Sequence, residues 1–310
     1  MISKHKFYHC LIGLPIVCLL AACSGDSLFP AEKQEATAVP LSISGAGMGL
    51  AATTRAAEVE LTGDKHIGLF VKQTTSYAAV NNRQFSYGDP EWIVEGAPIL
   101  LSVDRATVAA YYPYAADVEN PLNLMSGQLY AAAQDYCYTK FTADSKNASV
   151  VLSLKRVYAL VRFRLAKFGG GKPYQQEGRV SAINFSLAGS IPTARLDMLN
   201  GVLLSAFPAA SYTYGTETGF SQLLGTVGTP LEVAFLMVPA TLKNDVSFTL
   251  MVDGKEMSGK VTVAELCGAS SSLVAGTRYD IGITVYPTGL GIHADAQPWT
   301  EAPVDGAYEL

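Results

Sequence analysis

The sequence predicts an all-β protein in which two tandem antiparallel β-sandwich domains follow a cleaved lipoprotein signal peptide. Three observations predict this class: an N-terminal export signal, apolar residues that alternate with period two, and dipeptides that favour tight hairpins. The 310 residues are 49% hydrophobic, which is enough for two cores. The predicted segments are the signal peptide at 1–22, a flexible tether at 23–38, an N-terminal sandwich at 39–148 and a C-terminal sandwich at 149–310.

The N-terminus has the three parts of a bacterial lipoprotein signal. A basic region with Lys4 and Lys6 precedes an apolar run at 11–20, which is shorter than the roughly 20 residues that span a bilayer. Small residues then lead into Cys23, where cleavage would leave a thiol and an amine to carry acyl chains. We therefore predict lipidation at Cys23, with an ordinary signal peptide and an incidental cysteine as the alternative.

Net charge and hydropathy argue against two classes of function. The net charge of −5 offers no basic surface for nucleic acid, so no nucleic-acid partner is expected. No second apolar stretch of the sequence is long enough to cross a membrane.

Two cysteines, Cys137 and Cys267, are left after removal of the signal and lipidation of Cys23. An exported compartment permits a disulfide between them, and this bond requires Cα atoms within about 7 Å. They fall in different predicted domains, so two unpaired, partly buried thiols are the favoured interpretation, and the disulfide stays open.

The first strand of the mature chain is predicted at 39–44. Glycines at 45, 47 and 49 then break the pattern. Their spacing differs from that of a dinucleotide-binding fingerprint, so we predict a mobile loop at 45–49.

From residue 67 onward, apolar residues alternate with period two, which indicates strands with one buried face. In the longest set, at 157–165, Arg156, Arg162 and Arg164 fall on the opposite face, which is predicted to be the solvent side. The other sets are Ile67, Leu69 and Val71; Ile183, Phe185 and Leu187; Leu231, Val233, Phe235 and Met237; and Tyr279, Ile281, Ile283 and Val285.

The turn dipeptides agree with antiparallel pairing. Asp253-Gly254 and Asn200-Gly201 suit the left-handed dihedral angles of tight hairpins. The glycine run at 169–171 lacks the lysine and hydroxyl residue of a phosphate-binding loop, and we interpret it as an ordinary loop. Short strands joined by such turns predict antiparallel sandwiches rather than a parallel sheet.

Several segments, taken in order behind the lipidation signal, resemble those of the fimbrillin family, the two-domain pilus subunits of Bacteroides-type bacteria. The matching segments are Asp64–Phe70, Trp92, Pro98–Leu101, Val108–Tyr114, Leu196–Gly201, Phe235–Pro239, Ala275–Tyr279 and Pro298-Trp299. The family often has a histidine where this chain has Arg156.

The resemblance implies a transthyretin-like second domain and a structural or adhesive pilus subunit, anchored in the outer membrane at the cell surface through Cys23. It also implies that an arginine-specific protease cuts between Arg55 and Ala56 and releases the first strand. A strand from another subunit would then fill the open sheet, with the donor expected within 290–310. The implied partners are other pilus subunits, the protease, the membrane, and a host or bacterial surface ligand. A non-polymerising surface lipoprotein that binds glycans or host proteins is the alternative.

Few residues suggest enzyme chemistry. His66 and His293 are the only histidines after the signal, and neither has patterned partners, so we interpret them as a strand-edge and a surface residue. Tyrosines cluster at 111–114 and 130–138, where stacking on glycans is an alternative to the core packing that alternation favours. No enzymatic activity, cofactor or metal site is predicted.

Overall fold

The computed structural model describes residues 38–49, 59–205 and 212–301. The predicted signal peptide, nearly all of the tether and the predicted site residues Cys23, Arg55 and Ala56 lie outside these ranges. The described chain is built almost entirely of β-strands. The predicted all-β class is confirmed.

The strands form two runs along the chain. Those up to Arg156 are β1 Val39–Pro40, β2 Ser42–Met48, β3 Val59–Glu60, β4 His66–Val71, β5 Val80–Tyr87, β6 Trp92–Val94, β7 Leu100–Leu101, β8 Ala106–Tyr112, β9 Leu122–Met125, β10 Gln128–Leu129, β11 Cys137–Ala143 and β12 Ser149–Arg156. The later ones are β13 Ala159–Lys167, β14 Arg179–Leu187, β15 Thr193–Asp197, β16 Val202–Ser205, β17 Tyr212–Gly215, β18 Gln222–Leu223, β19 Leu231–Met237, β20 Ala240–Thr241, β21 Val246–Val252, β22 Lys255–Val261, β23 Ser272–Leu273, β24 Thr277–Tyr286 and β25 Gly289–Pro298. A short helix α1 spans Val263–Cys267, and 3₁₀ turns lie at Ala132–Gln134 and Gly268–Ser270.

The first sheet closes on itself through the N-terminal strand β2. Its order is β12-β11-β8-β4-β5-β6-β2-β3, and β2 also pairs with β12. The core of this sheet includes Ile67, Leu69, Phe85, Val108 and Leu154, each at most 1% exposed. Strand β2 is therefore the link that completes the ring of pairings.

Later in the chain, two sheets pack face to face around one core. One has the order β10-β19-β13-β24-β25 and the other β17-β14-β21-β22, with β18 paired to β14. Phe163, Phe185, Phe235 and Phe248 come from both sheets and meet with ring centroids 4.9–6.1 Å apart. This packing follows from the predicted alternation, because every second residue of a strand points to the same side.

A third core joins the earlier and later parts of the sequence. It contains Phe70 and Tyr111 from the first sheet together with Leu196 and Leu236 from later strands. Strands β9 and β10 pair with β15 and β19, whereas β12 pairs with β11 and β2. The domain limit after residue 148 stays a prediction, and these pairings connect the chain on both sides of it.

Both predicted hairpins are confirmed. Asp253 and Gly254, with φ of 48° and 74°, join β21 to β22. Asn200-Gly201 lies in the turn between β15 and β16, where Gly201 has φ of 71°. These positive φ values are the conformations that glycine and Asn or Asp adopt most readily.

The loop predicted at 45–49 is wrong, because residues 45–48 belong to β2. Ala46 and Met48 are buried in the first core, and the parallel pairing with β12 supplies the backbone hydrogen bonds. Tertiary pairing therefore overrides the low strand propensity of glycine here.

The predicted solvent side of the set at 157–165 is wrong for Arg156 and Arg162, whereas the side chain of Arg164 is 42% exposed. Arg156 lies in β12, the preceding strand, and Arg156 and Arg162 are only 9% and 8% exposed. Arg162 donates two hydrogen bonds to Asp280, at 2.7 and 2.8 Å, which compensates the burial of its charge. The sheets are mainly antiparallel, but β2 with β12 and β13 with β24 are parallel pairs.

Candidate functional site: the N-terminal strand and its groove

Strands β1 and β2 fill a groove whose walls come from later parts of the chain. Strand β1 pairs with β7, and β2 runs parallel to β12 over six residue pairs, from Ser42 to Met48. On the other side of β2, Ile43 pairs with Trp92 of β6, and β3 adds two pairs. The N-terminal strand is thus inserted between strands and is not added to a sheet edge.

Backbone hydrogen bonds hold both ends of β2. The N–H of Ser42 donates to the carbonyl of Ala148 at 2.8 Å, and the N–H of Gly49 donates to the carbonyl of Leu154 at 2.8 Å. Backbone groups of a buried strand require such partners, because a lost hydrogen bond costs free energy in the interior. The groove therefore binds the full length of β2.

Four side chains of the segment point into the first core. Leu41, Ile43, Ala46 and Met48 are each 2–4% exposed. Burial of a leucine, isoleucine or methionine side chain contributes about 1.5–3 kcal/mol. A register shift in the pairing with β12 places Ala46 three residues after Ile43 instead of two. The groove therefore has an order of subsites along its length: large, large, small and large.

The far end of β2 reaches a buried ion pair. The Sδ atom of Met48 lies 3.7 Å from the Sγ atom of Cys137, which lies opposite Arg156 in the β11–β12 pair. Nε of Arg156 is 3.0 and 3.2 Å from the carboxylate oxygens of Asp135, a fully buried residue. Burial raises the pKa of Asp135 to about 6, while the charge of Arg156 acts in the opposite direction. Burial also raises the pKa of the Cys137 thiol, so it stays protonated.

The same arginine holds the C-terminal end of the described chain. Its guanidinium carbon lies 3.9 Å from the centroid of the Trp299 ring. Nη1 donates to the carbonyl of Trp299 at 3.0 Å, and Nη2 donates to the carbonyl of Glu301. Tyr130 makes an edge contact with Trp299 at a centroid distance of 6.0 Å, and Glu301 also forms an ion pair with Arg278. Cys137 therefore lies between the end of β2 and the Asp135–Arg156 pair, and this pair in turn binds the C-terminal end of the described chain.

The sequence of residues 54–299 matches the family described as fimbrillin-like. The chain belongs to the fimbrillin-like family. The predicted resemblance is confirmed. The matched range begins after β2 and ends at Trp299, so it contains the walls of the groove. Membership supports a pilus or adhesion subunit at the cell surface and favours a structural role over an enzymatic one.

Solved structures from Bacteroides species share the fold of this fimbrillin-like chain. A candidate cell adhesion protein from Bacteroides uniformis is 17% identical, with a TM-score of 0.57 over 85% of this chain and 99% of that chain. One from Bacteroides ovatus is 12% identical, with a TM-score of 0.56 over 85% and 98%. One from Bacteroides fragilis is 13% identical, with a TM-score of 0.52 over 85% and 99%. No curated protein matches the sequence significantly.

The site residues predicted for this fimbrillin-like chain lie outside the described ranges. Cys23 precedes the first described residue, and Arg55 and Ala56 fall in the sequence between β2 and β3. Cys137 and Cys267 are described, and both are buried and unpaired, as the favoured interpretation predicted.

The two histidines lie at surface positions. His66 is exposed at the start of β4, where its Nδ1 lies 2.9 Å from the hydroxyl oxygen of Ser86, and His293 is exposed on β25. Within residues 38–49, 59–205 and 212–301, no group of three or more His, Cys, Asp or Glu residues could hold a metal ion. In the same part of the fimbrillin-like chain, no helix is long and apolar enough to cross a membrane.

Sequence reasoning missed the Asp135–Arg156–Trp299 cluster. Arg156 stood out as a departure from the family pattern and Trp299 as a family motif, but nothing linked them. Arg156 is 21 residues from Asp135 and 143 from Trp299 in the sequence. Such contacts arise from the tertiary arrangement, which leaves no local pattern in the sequence.

Proposed function

We propose that this fimbrillin-like chain is a pilus subunit that is exported as a lipoprotein through Cys23 and assembled by strand exchange in the groove of β2. An arginine-specific protease cuts after Arg55 and thereby separates β1 and β2 from the rest of the chain. The lipid at Cys23 leaves with the cleaved segment. A strand from another subunit then occupies the groove.

The observation that carries this proposal is the position of the partners of β2 in the sequence. Strands β3, β6 and β12, which pair with β2, and β7, which pairs with β1, all follow Arg55. One cut after Arg55 therefore leaves β1 and β2 attached only by hydrogen bonds and apolar contacts. Their departure does not require any other covalent change.

The emptied groove has the properties that bind an extended peptide. Removal of β2 leaves strand edges on β6 and β12 without partners and opens the subsites of Leu41, Ile43 and Met48 to water. Unpaired edges favour the addition of a strand, and alternating subsites select its side chains. The subunit can therefore regain the lost stabilisation by accepting a strand from a neighbour.

The proposed donor comes from the C-terminal region, and the pairing of β25 supports a position near the end of that region. Strand β25 pairs with β24 along its ten residues, so 289–298 is already part of a sheet. We therefore place the donor in residues 302–310, which lie outside the described ranges.

Treatment of the purified protein with an arginine-specific protease tests the proposal. We expect mass spectrometry to find a new N-terminus at Ala56, followed by multimers that resist heat and detergent. Arg55→Ala should block both events. Arg105→Ala is the matched control, because the side chain of Arg105 is 78% exposed on a described surface.

Two results would contradict the proposal: multimers formed by Arg55→Ala, or a fully cut protein that stays monomeric. A lipidated N-terminus at Cys23 with monomers only would favour a surface lipoprotein that binds glycans or host proteins.

A further inference from the structure

Arg156 contacts the C-terminal end of the described chain and lies on a strand that pairs with β2. Its guanidinium is stacked on Trp299 and bonded to the carbonyls of Trp299 and Glu301. Its own strand, β12, pairs with β2. Arg156 thus joins Asp135, Trp299 and Glu301.

Backbone hydrogen bonds also hold Trp299 in place. The N–H of Trp299 donates to the carbonyl of Gly276 at 2.9 Å, and the N–H of Gly276 donates to the carbonyl of Tyr158 at 2.8 Å. Trp299 is thereby held beside the residues that follow β12.

The binding of Arg156 to Asp135, Trp299 and Glu301 depends on the burial of its ion pair with Asp135. Asp135 is fully buried and the side chain of Arg156 is 6% exposed. The attraction between two charges falls about fourfold when the effective dielectric constant rises from about 20 to the 80 of water. Anything that lets water reach Asp135 should therefore loosen the guanidinium from its partners.

Met48 is placed to keep water away from this pair. It is 3% exposed and contacts Cys137, and the Cys137 Sγ lies 3.9 Å from the carbonyl oxygen of Asp135. When β2 leaves, the space occupied by Met48 opens beside Cys137. The N-terminal strand thus covers one side of the cluster that holds the C-terminal segment.

We propose that Arg156 is a positioning residue that fixes Trp299 and Glu301, and that this function depends on Met48 of β2. Removal of β2 would therefore loosen Trp299 and Glu301, and this last step rests on the proposed strand exchange.

The fluorescence emission of Trp299 in the uncut monomer tests whether Arg156 fixes Trp299. Trp92 and Trp299 are the two tryptophans of the sequence, so Trp92→Phe leaves Trp299 as the sole reporter. In that background, Arg156→Lys keeps a positive charge for Asp135 but removes the planar guanidinium and its second donor. We expect a red shift of Trp299 emission and a roughly twofold or greater rise in acrylamide quenching. Arg105→Lys is the control and should change neither value.

The dependence on β2 is tested with a matched pair of substitutions in the same background. Met48→Ala and Leu41→Ala both shorten buried side chains of the N-terminal segment, and Met48 contacts Cys137, whose Sγ lies 3.9 Å from the carbonyl oxygen of Asp135. Met48→Ala should expose Trp299 to acrylamide, and Leu41→Ala should not. Circular dichroism of each variant establishes that the sheets are retained.

An unchanged Trp299 emission in folded Arg156→Lys would overturn the role of Arg156. Equal exposure in Met48→Ala and Leu41→Ala would overturn its dependence on β2. Neither readout requires cleavage or assembly, so these failures differ from failure of the proposed function, which would show as cut protein that stays monomeric.

Discussion

Arg162 and Asp280 lie directly opposite each other in the parallel pair of β13 and β24, joined by hydrogen bonds of 2.7 and 2.8 Å. Both residues are more than 90% buried. Nη1 of Arg162 also donates to Glu232 of β19 at 2.9 Å, so the pair ties three strands together. Buried ion pairs thus lie on the face of β13 that the alternation predicts to be exposed to solvent.

The first prediction concerns the ion pair of Arg162 and Asp280. Arg162→Met should lower the free energy of unfolding by about 3–5 kcal/mol, because it leaves the carboxylate of Asp280 buried without its main partner. Arg164→Met is the control on the same strand, since the Arg164 side chain is 42% exposed, and should cost no more than about 1 kcal/mol. Urea unfolding of both variants measures the difference, and equal costs would show that the burial of Arg162 has no energetic consequence.

The second prediction concerns the N-terminal strand. Ile43→Ala should lower the free energy of unfolding by about 2–4 kcal/mol, because it creates a cavity in the first core. Ser42→Ala, at the exposed preceding position, should stay within about 0.5 kcal/mol. Thermal unfolding of the uncut protein provides the measurement. A neutral Ile43→Ala would mean that β2 adds little to the fold.

The third prediction concerns pH. Burial raises the pKa of Asp135 from 3.8 to about 6 in the folded protein. The charge of Arg156 and a hydrogen bond from Tyr130 lower this pKa but do not outweigh the burial. The folded state therefore binds this proton more tightly than the unfolded state. Protonated Asp135 therefore stabilises the folded state fully below pH 4. This stabilisation is lost as the pH rises through 6, and the free energy of unfolding falls by no more than about 1.4 kcal/mol per pH unit.

Asp135→Asn should remove this dependence, so the stability of the native sequence relative to the variant should fall between pH 4 and pH 7. Asp144 provides a contrast. Slight burial raises the pKa of Asp144, but hydrogen bonds from Lys146 and Asn147 outweigh it and hold the pKa below its usual value of 3.8. Asp144 should therefore stabilise the fold above pH 4, and Asp144→Asn should remove a loss of stability that occurs as the pH falls below 4. Denaturant unfolding between pH 4 and pH 7 measures the effect of Asp135, and unfolding below pH 4 measures that of Asp144; parallel curves for the native sequence and Asp135→Asn between pH 4 and pH 7 would refute the prediction.

The fourth prediction concerns a close backbone approach in the first sheet. A Cβ atom at Gly68 would lie 2.1 Å from Cε1 of Tyr111, whose hydroxyl oxygen lies within hydrogen-bond distance of two acceptors, Asn82 Oδ1 at 2.6 Å and the carbonyl oxygen of Ala115 at 2.9 Å. Gly68→Ala should therefore displace the buried ring and cost about 1–3 kcal/mol. Gly169→Ala is the control, since no atom lies within 4 Å of its added Cβ. Melting temperatures compare the two, and equal values would show that Tyr111 moves freely.

The strands and hairpins could be predicted because their signals are local. Alternation at 231–237 and 279–285 reappears as β19 and β24, and Asp253-Gly254 forms the expected hairpin. Each of these features depends on residues within a few positions of one another. The resemblance to fimbrillins likewise rests on short motifs in a fixed order.

The all-β class, most strand positions and the family follow from the sequence alone, whereas the export signal that ends at Cys23 stays a prediction. The tertiary structure was needed to show that the glycine-containing segment 45–48 is a buried strand parallel to β12, and that Arg156 joins Asp135 to Trp299. Local patterns report which face of a strand is apolar. They do not report which distant strand supplies its hydrogen bonds or where a buried charge finds its partner, because both depend on how the sheets close in space.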